Sequence, residues 1–331
     1  MKKIGVLTSG GDSQGMNAAI YATVRYGLQK GLTVYGIYDG YQGLIDGKVV
    51  ELTAQSVDNI AHRGGTILGT ARCPAMKTPQ GQKKAVATLN KDGIEGLVVI
   101  GGDGSFNGAK VLSTQYGINT VGIPGTIDND LAYTDFTLGF DSATATVVNA
   151  VKALRDTMSC TGRTCVVEVM GRDCGDIALY AGIATGAEVV LVPEVEFDIA
   201  KVVATIRRNA KAGKLDNIIL VSEGVRFNGE LCKGKVAEKV QAEIVDKLPQ
   251  INIRTMVLGH LQRGGDATLT DTLLGIRMGE HAIKCLTSGK TDRVIGTKNN
   301  KIFDEDIVEA LAKTKVFDVK TYAFSKTLVK Y

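Results

Sequence analysis

Two stretches of this 331-residue chain end an apolar run in the same triplet, Gly-Gly-Asp. One is Ile4-Gly5-Val6-Leu7-Thr8-Ser9-Gly10-Gly11-Asp12, and the other is Leu97-Val98-Val99-Ile100-Gly101-Gly102-Asp103-Gly104-Ser105. In each, the apolar residues read as a buried strand, and the glycines let backbone amides come close to a bound phosphate. Asp103 stands at the carboxyl end of its strand, where open α/β sheets bind ligands, and its oxygens suit Mg²⁺. Ser105 is expected to open a helix whose N-terminus favours an anion. After the first copy come Gly15 and Asn17, with a helix beginning near Met16 whose dipole has the same sense. No Gly-Lys-Ser/Thr follows, so this is the outline of a nucleoside-triphosphate site without a Walker loop. For residues 8–15 a tight strand-to-helix turn with no ligand is the alternative, and recurrence of the pattern favours binding. Several kinase superfamilies share this outline.

A second constellation is Pro124-Gly125-Thr126-Ile127-Asp128-Asn129-Asp130, after the apolar run Val121 to Ile123. In an extended segment Asp128 and Asp130 would point to one side, because side chains alternate. Two carboxylates so placed would repel a polyphosphate. They either cap a turn or do chemistry, one accepting a hydroxyl proton while the other helps hold Mg²⁺. Arg163, Arg172, Arg254, His260 and Arg263 flank glycines or strand ends. Singly each reads as a solvated or ion-paired side chain, and together they suit a clamp on a sugar phosphate. His62 and His281 carry no local signature and read as structural. Cys73, beside Arg72, reads as a small residue lining a pocket.

The elements that must position these residues are legible as alternation. Apolar runs of strand length recur at 4–7, 34–38, 97–100, 120–123, 165–170, 188–192 and 217–221. Between them lie helical spacings such as Met16 to Leu28 and Thr146 to Met158. This argues for an α/β fold of parallel sheets with helices on both faces. The 40 glycines against 5 prolines fit tight strand-to-helix turns. Clusters at 8–15, 101–130 and 160–172, with later candidates at 223 and 254–263, suggest a cleft between two α/β lobes. Val225 to Lys247 reads as a surface loop leading into an exposed helix.

Composition excludes other classes. A formal charge of +4, no Trp and 5% aromatic residues leave no basic run or stacking platform for nucleic acid. Cysteines 73, 160, 165, 174, 232 and 285 form no Cys-x-x-Cys, which argues against structural zinc and for reduced thiols in the cytoplasm. The N-terminal apolar run is too short for a signal-peptide core, and no stretch is long enough for a membrane span.

Taken in order, these motifs resemble those of the bacterial ATP-dependent 6-phosphofructokinases. The likeness runs from Lys3 to Asp12 and Gly15 to Ile20 through Val98 to Ser105, Pro124 to Asp130 and Val166 to Arg172. It closes with Val257-Leu258-Gly259-His260-Leu261-Gln262-Arg263-Gly264-Gly265. The resemblance implies two Rossmann-like three-layer α/β/α lobes with a cleft between them. Residues 1–138 plus 251–305 would form the ATP lobe, and 139–250 plus 306–331 the fructose 6-phosphate lobe. It implies ATP on Gly11, Tyr41, Arg72, Cys73, Gly102, Asp103, Gly104 and Ser105, with Mg²⁺ on Asp103. Asp128 would take the proton from the sugar 1-hydroxyl, and Thr126 and Arg172 would stabilise the transferred γ-phosphoryl group. Thr126, Ile127, Asp128, Met170, Gly171, Arg172, Glu223, His260, Leu261 and Gln262 would contact fructose 6-phosphate. Arg163, Arg254 and Arg263 would meet its 6-phosphate, some from a neighbouring subunit of a homotetramer.

Pyrophosphate-using relatives carry Asp where Gly104 stands and Lys where Gly125 stands, so two glycines point to ATP. An effector site for a nucleotide or phosphoenolpyruvate would involve Tyr21, Arg25, Arg155, Gly186, Ala187, Glu188, Lys211 and Lys214. Tyr21 and Ala54 stand where arginine is usual and Ala212 where lysine is, which predicts weak or altered allosteric control. Three rivals remain in view: a pyrophosphate-dependent phosphofructokinase, an NAD or diacylglycerol kinase, and a sugar-phosphate sensor. NAD and diacylglycerol kinases lack Thr-Ile-Asp-Asn-Asp and the paired Met-Gly-Arg, and a sensor is expected to have lost Asp128 or Asp103.

Overall fold

The computed structural model describes residues 1–227, 229–232 and 235–329. The chain forms two compact units, 1–142 with 263–315 and 143–262 with 316–331. The first unit opens with β1 (Lys3–Ser9), α1 (Met16–Gln29), β2 (Thr33–Ile37), α2 (Gly40–Asp46) and β3 (Val49–Leu52). It continues through α3 (Pro79–Asp92), β4 (Gly96–Gly101), α4 (Asp103–Tyr116) and β5 (Asn119–Pro124), and α5 (Phe140–Thr161) carries the chain into the second unit. There follow β6 (Thr164–Val169), α6 (Asp176–Thr185), β7 (Val189–Leu191), α7 (Ile199–Lys211), β8 (Asn217–Ser222) and the short pair β9 (Arg226–Phe227) and β10 (Glu230–Leu231). Then come α8 (Val236–Lys247) and β11 (Ile253–Val257), before α9 (Leu269–Thr287), β12 (Arg293–Lys298), β13 (Lys301–Asp306) and α10 (Ile307–Leu311) return to the first unit. Helix α11 (Val319–Leu328) ends in the second unit.

In the first unit the sheet runs β13-β12-β5-β4-β1-β2-β3. Its centre is parallel, but the edge pairs β2–β3 and β12–β13 are antiparallel, which the expectation of parallel sheets did not include. Both sheet faces are covered. Val98 and Ile100 pack with Ile20 and Val24 of α1 and Met278 and Ile283 of α9 on one side. Leu97 and Val99 face Leu89 of α3 and Phe106 and Leu112 of α4 on the other. That alternation along one strand is the pleat buried on both faces. The strand order reverses at β1 and β4, so the carboxyl ends of these two strands form the switch point where such sheets bind ligands. Ser9 pairs with Gly101, and Gly101 with Pro124, so both Gly-Gly-Asp motifs and the Pro124–Asp130 segment emerge side by side.

The second unit's sheet runs β11-β6-β8-β7, all parallel. Residues 253–257 pair with β6, whereas the sequence reading put 251–305 with the first lobe. The stretch 225–247 also departs from expectation. It contains the β9–β10 hairpin, and α8 is not simply exposed, because it buries Val236, Ala237, Val240 and Ile244 against Val166 and Val221. Among the described residues, no helix is long and apolar enough to cross a membrane.

Candidate active site

A cavity of about 830 Å³ in the first unit is lined by the ends of β1 and β4, the start of α4 and residues 71–77. It gathers Gly11, Tyr41, Arg72, Cys73, Gly102, Asp103, Gly104 and Ser105, together with Thr126, Asp128 and Arg263. Helix α4 begins at Asp103, two residues before the expected start at Ser105, so Asp103 sits in the first helical turn. There its charge is favoured by the helix N-terminus, and Asn107, one turn on, donates its amide to the Asp103 carboxylate at 3.1 Å. The Ser105 hydroxyl donates to the Ser9 carbonyl at 3.0 Å, and the buried Tyr41 hydroxyl donates to the Ser105 carbonyl at 2.7 Å. Burial raises the Tyr41 phenol, which keeps it a neutral donor. Arg263 donates to the Asp12 carbonyl at 2.9 Å, which places it against the glycines of the first motif.

Side chains at some of these glycines would crowd their neighbours. A β-carbon at Gly11 would lie 2.8 Å from the Arg263 guanidinium, and one at Gly108 would meet the Tyr41 ring at 2.8 Å. At Gly104 a β-carbon meets nothing within 4 Å, so any side chain there would enter the cavity. At Gly125 it would press on Met16 and Ile100 at 3.0 and 3.1 Å. Sequence reasoning missed Met76, Gln82, Asn107, Gly108 and Val111, which line the same cavity. The signal was the helical spacing of Gly104 and Gly108, which clears one face of α4.

Thr126–Asp130 is not the extended segment that alternation suggested. Asn129 takes a left-handed conformation with φ of 52°, which turns the chain between the two carboxylates. The Asn129 side-chain oxygen accepts from the Thr137 backbone at 3.1 Å, and the Thr137 hydroxyl donates to the Thr126 carbonyl at 2.6 Å. The Asp128 backbone amide donates to the Thr126 hydroxyl at 3.3 Å. Enclosure of its carboxyl, reinforced by the charges of Asp128 and Asp103, pushes Asp130 up to about 6, although the residue as a whole keeps solvent exposure.

In the second unit the candidate residues follow strand ends. Met170, Gly171 and Arg172 follow β6, Glu223 follows β8, and His260, Leu261 and Gln262 follow β11. Gln262 is fully buried and accepts from the Met170 backbone at 3.2 Å, which joins the β6 and β11 ends. Gly171 has φ of 120°, and its carbonyl accepts from the Ser222 hydroxyl. Arg172, His260 and Leu261 are exposed, and Glu223 is half-buried. Arg163 lies half-buried at the start of β6, and Arg254, on the edge strand β11, donates back to the Ile253 carbonyl. Ile127 is buried behind the Thr126–Asp130 turn of the first unit.

Of the remaining candidate cations, Arg25, Arg155 and Lys214 are already paired. Arg25 bonds Asp58 and lies over the Tyr21 ring at 5.7 Å. Arg155 donates to Glu188 at 3.1 Å and to the carbonyls of Thr185 and Gly186, while Lys214 meets Glu188 at 3.1 Å and Asp216 at 3.3 Å. Glu188 is 1% exposed, beside the buried Ala187, and Lys211 ends α7.

A family profile described as phosphofructokinase matches residues 3–286. The chain is 53% identical over 328 residues, 99% of each chain, to an ATP-dependent 6-phosphofructokinase of Clostridium tetani (strain Massachusetts / E88). It is 52% identical over 330 residues, the full length of both, to one of Clostridium botulinum (strain Hall / ATCC 3502 / NCTC 13319 / Type A). Its fold superposes with a TM-score of 0.87 on phosphofructokinase from Saccharomyces cerevisiae at 33% identity, covering 99% of this chain and 47% of the yeast chain.

Proposed function

The chain belongs to the phosphofructokinase family, and from that premise we propose that it transfers the γ-phosphoryl group of ATP to the 1-hydroxyl of D-fructose 6-phosphate. The products are fructose 1,6-bisphosphate and ADP, a step of glycolysis. The observation that carries this reading is a single cavity that joins a glycine-rich phosphate cradle to the carboxylates Asp103 and Asp128.

Phosphoryl transfer needs little covalent help, so the protein works by positioning and charge neutralisation. Asp128 accepts the proton of the sugar hydroxyl. A carboxylate is a weak base for a hydroxyl, which suffices if the proton moves late, after the bond to ADP has loosened. Thr126 and Arg172 offset charge on the transferred group. Met170, Gly171, Arg172, Glu223, His260, Leu261 and Gln262 hold the sugar phosphate, and Arg163, Arg254 and Arg263 its 6-phosphate. The mutual repulsion of Asp103, Asp128 and Asp130 suits a hard divalent cation. Asp103 would hold Mg²⁺, which when bound neutralises phosphate oxygens.

The open space at Gly104 and the crowding at Gly125 support ATP as donor, because aspartate at 104 would enter the phosphate cradle and lysine at 125 would strike Met16 and Ile100. We assign the active form to a homotetramer, with Arg163 and Arg254 reaching a neighbour's substrate. Support comes from the exposure of Met256 (41%), Val257 (53%) and Leu261 (63%) on and beside an edge strand. The free thiols of all six cysteines fit a cytoplasmic enzyme. Nucleotide or phosphoenolpyruvate control is weak, because Arg25, Arg155 and Lys214 already serve internal carboxylates.

The test is ADP release with fructose 6-phosphate and MgATP, run beside Asp128→Ala. Turnover in the wild type and its loss in the variant are expected. Activity with pyrophosphate but not ATP would overturn the donor assignment, and sugar-phosphate binding without turnover would turn the reading to a sensor.

A further inference from the structure

The turn that carries Asp128 is held from a second direction, by a residue 186 positions away in sequence from the one it bonds. Lys315 is the last residue of the first unit, half-buried, just beyond α10. Its ammonium donates to the carbonyl of Asn129 at 2.5 Å. That carbonyl belongs to the residue between Asp128 and Asp130, the one whose left-handed backbone sets where the two flanking side chains point. Thr137 also grips the turn, through the Asn129 side chain and the Thr126 carbonyl. The ammonium also brings a positive charge to bear on Asp130, whose carboxyl feels the negative charges of Asp128 and Asp103.

We propose that Lys315 is a positioning residue for phosphoryl transfer, fixing the peptide after Asn129 so that the Asp128 carboxylate is aimed at the hydroxyl it deprotonates. The inference rests on the assignment of Asp128 as base. A hydrogen bond from a charged donor is among the stronger ones a protein makes, and small misplacement of a reacting group is costly in rate. Lys315 does not line the nucleotide cavity, so its removal is expected to act on kcat and to leave ATP affinity in place.

The experiment compares Lys315→Met, Lys315→Arg, Lys313→Met and Asp128→Ala in the fructose 6-phosphate and MgATP assay, with KM for both substrates and a thermal melt of each. Lys315→Met is expected to lower kcat about ten- to a hundredfold, the usual worth of a charged hydrogen bond. Its KM for ATP should stay within about twofold, with an unchanged melt. Lys315→Arg, which keeps the charge and a donor, should recover most of the rate. Lys313→Met loses only a surface ion pair with Glu305 and should behave as wild type. An unchanged kcat in Lys315→Met overturns the proposal. So does a fall in melting temperature with both KM values raised and no recovery in Lys315→Arg, since that is the mark of a tail anchor. Full turnover in Asp128→Ala removes the assignment of the base itself and is read separately from the lysine variants.

Discussion

In the first unit the ligand cavity takes in bare backbone at Gly11, Gly102 and Gly104, just past the ends of β1 and β4. In the second unit the candidate contacts are side-chain tips, those of Arg172, Glu223, His260 and Gln262 at the ends of β6, β8 and β11. The first arrangement is set once the sheet and α4 form, because Gly11 and Gly102 lie just beyond β1 and β4 and Gly104 is in the first turn of α4. The second depends on what each long side chain pairs with, as Gln262 does by tying Met170. A side chain added at Gly104 would therefore occupy the cradle itself, whereas a side-chain site can be retuned by a change of partner.

Substitutions test this contrast directly. Asp128→Ala should lower kcat by about a hundred- to ten-thousandfold, the usual contribution of a general base, with the fold intact by circular dichroism. Gly104→Asp should lower kcat/KM for ATP by about a hundredfold, since a charged side chain would enter a cradle now open and oppose phosphate. Its KM for fructose 6-phosphate should stay within twofold, about the scatter of an unaffected interaction. Equal damage to both substrates would show that the glycine supports the fold rather than the cradle. Addition of ADP or phosphoenolpyruvate should shift half-saturation by fructose 6-phosphate only slightly. A steep ADP activation curve would mean that Arg155 and Lys214 leave Glu188 readily, and the pairing argument would fail.

The smallest effect concerns stability. Burial raises Asp304, but hydrogen bonds from His281, Lys290 and Arg293 prevail and hold it at about 2, below its ordinary 3.8. A depressed carboxyl adds stability above its unfolded pKa and loses it as pH falls through the folded one. Asp304→Asn should therefore melt below wild type at neutral pH, with the gap closing between about pH 4 and 2. A gap that persists at pH 2 would assign the effect to packing instead of charge.

The strand–helix alternation and both Gly-Gly-Asp motifs were legible because each is local. A buried strand followed at once by glycines needs only neighbours in the chain to declare itself. The antiparallel edges β3 and β13 were not legible, because charged residues interrupt their apolar runs, as Glu51 does in β3 and Asp304 to Asp306 do in β13. The helical face of α8 was hidden by the charges around it. Asp103 was assigned to a strand end, and only the backbone placed it on the first turn of α4.

Sequence alone determined the fold class, the family and the identity of the carboxylates, since those follow from residue type and short-range order. It could not decide that Asp128 and Asp130 are joined by a left-handed turn, nor that Arg263 bonds the Asp12 carbonyl. Nor could it decide that Lys315 reaches Asn129. The turn is settled by Thr137, which grips Asn129 and Thr126. The other two are contacts between segments far apart in the chain, and nothing in local spacing encodes them until the sheet and its covering helices bring the segments together.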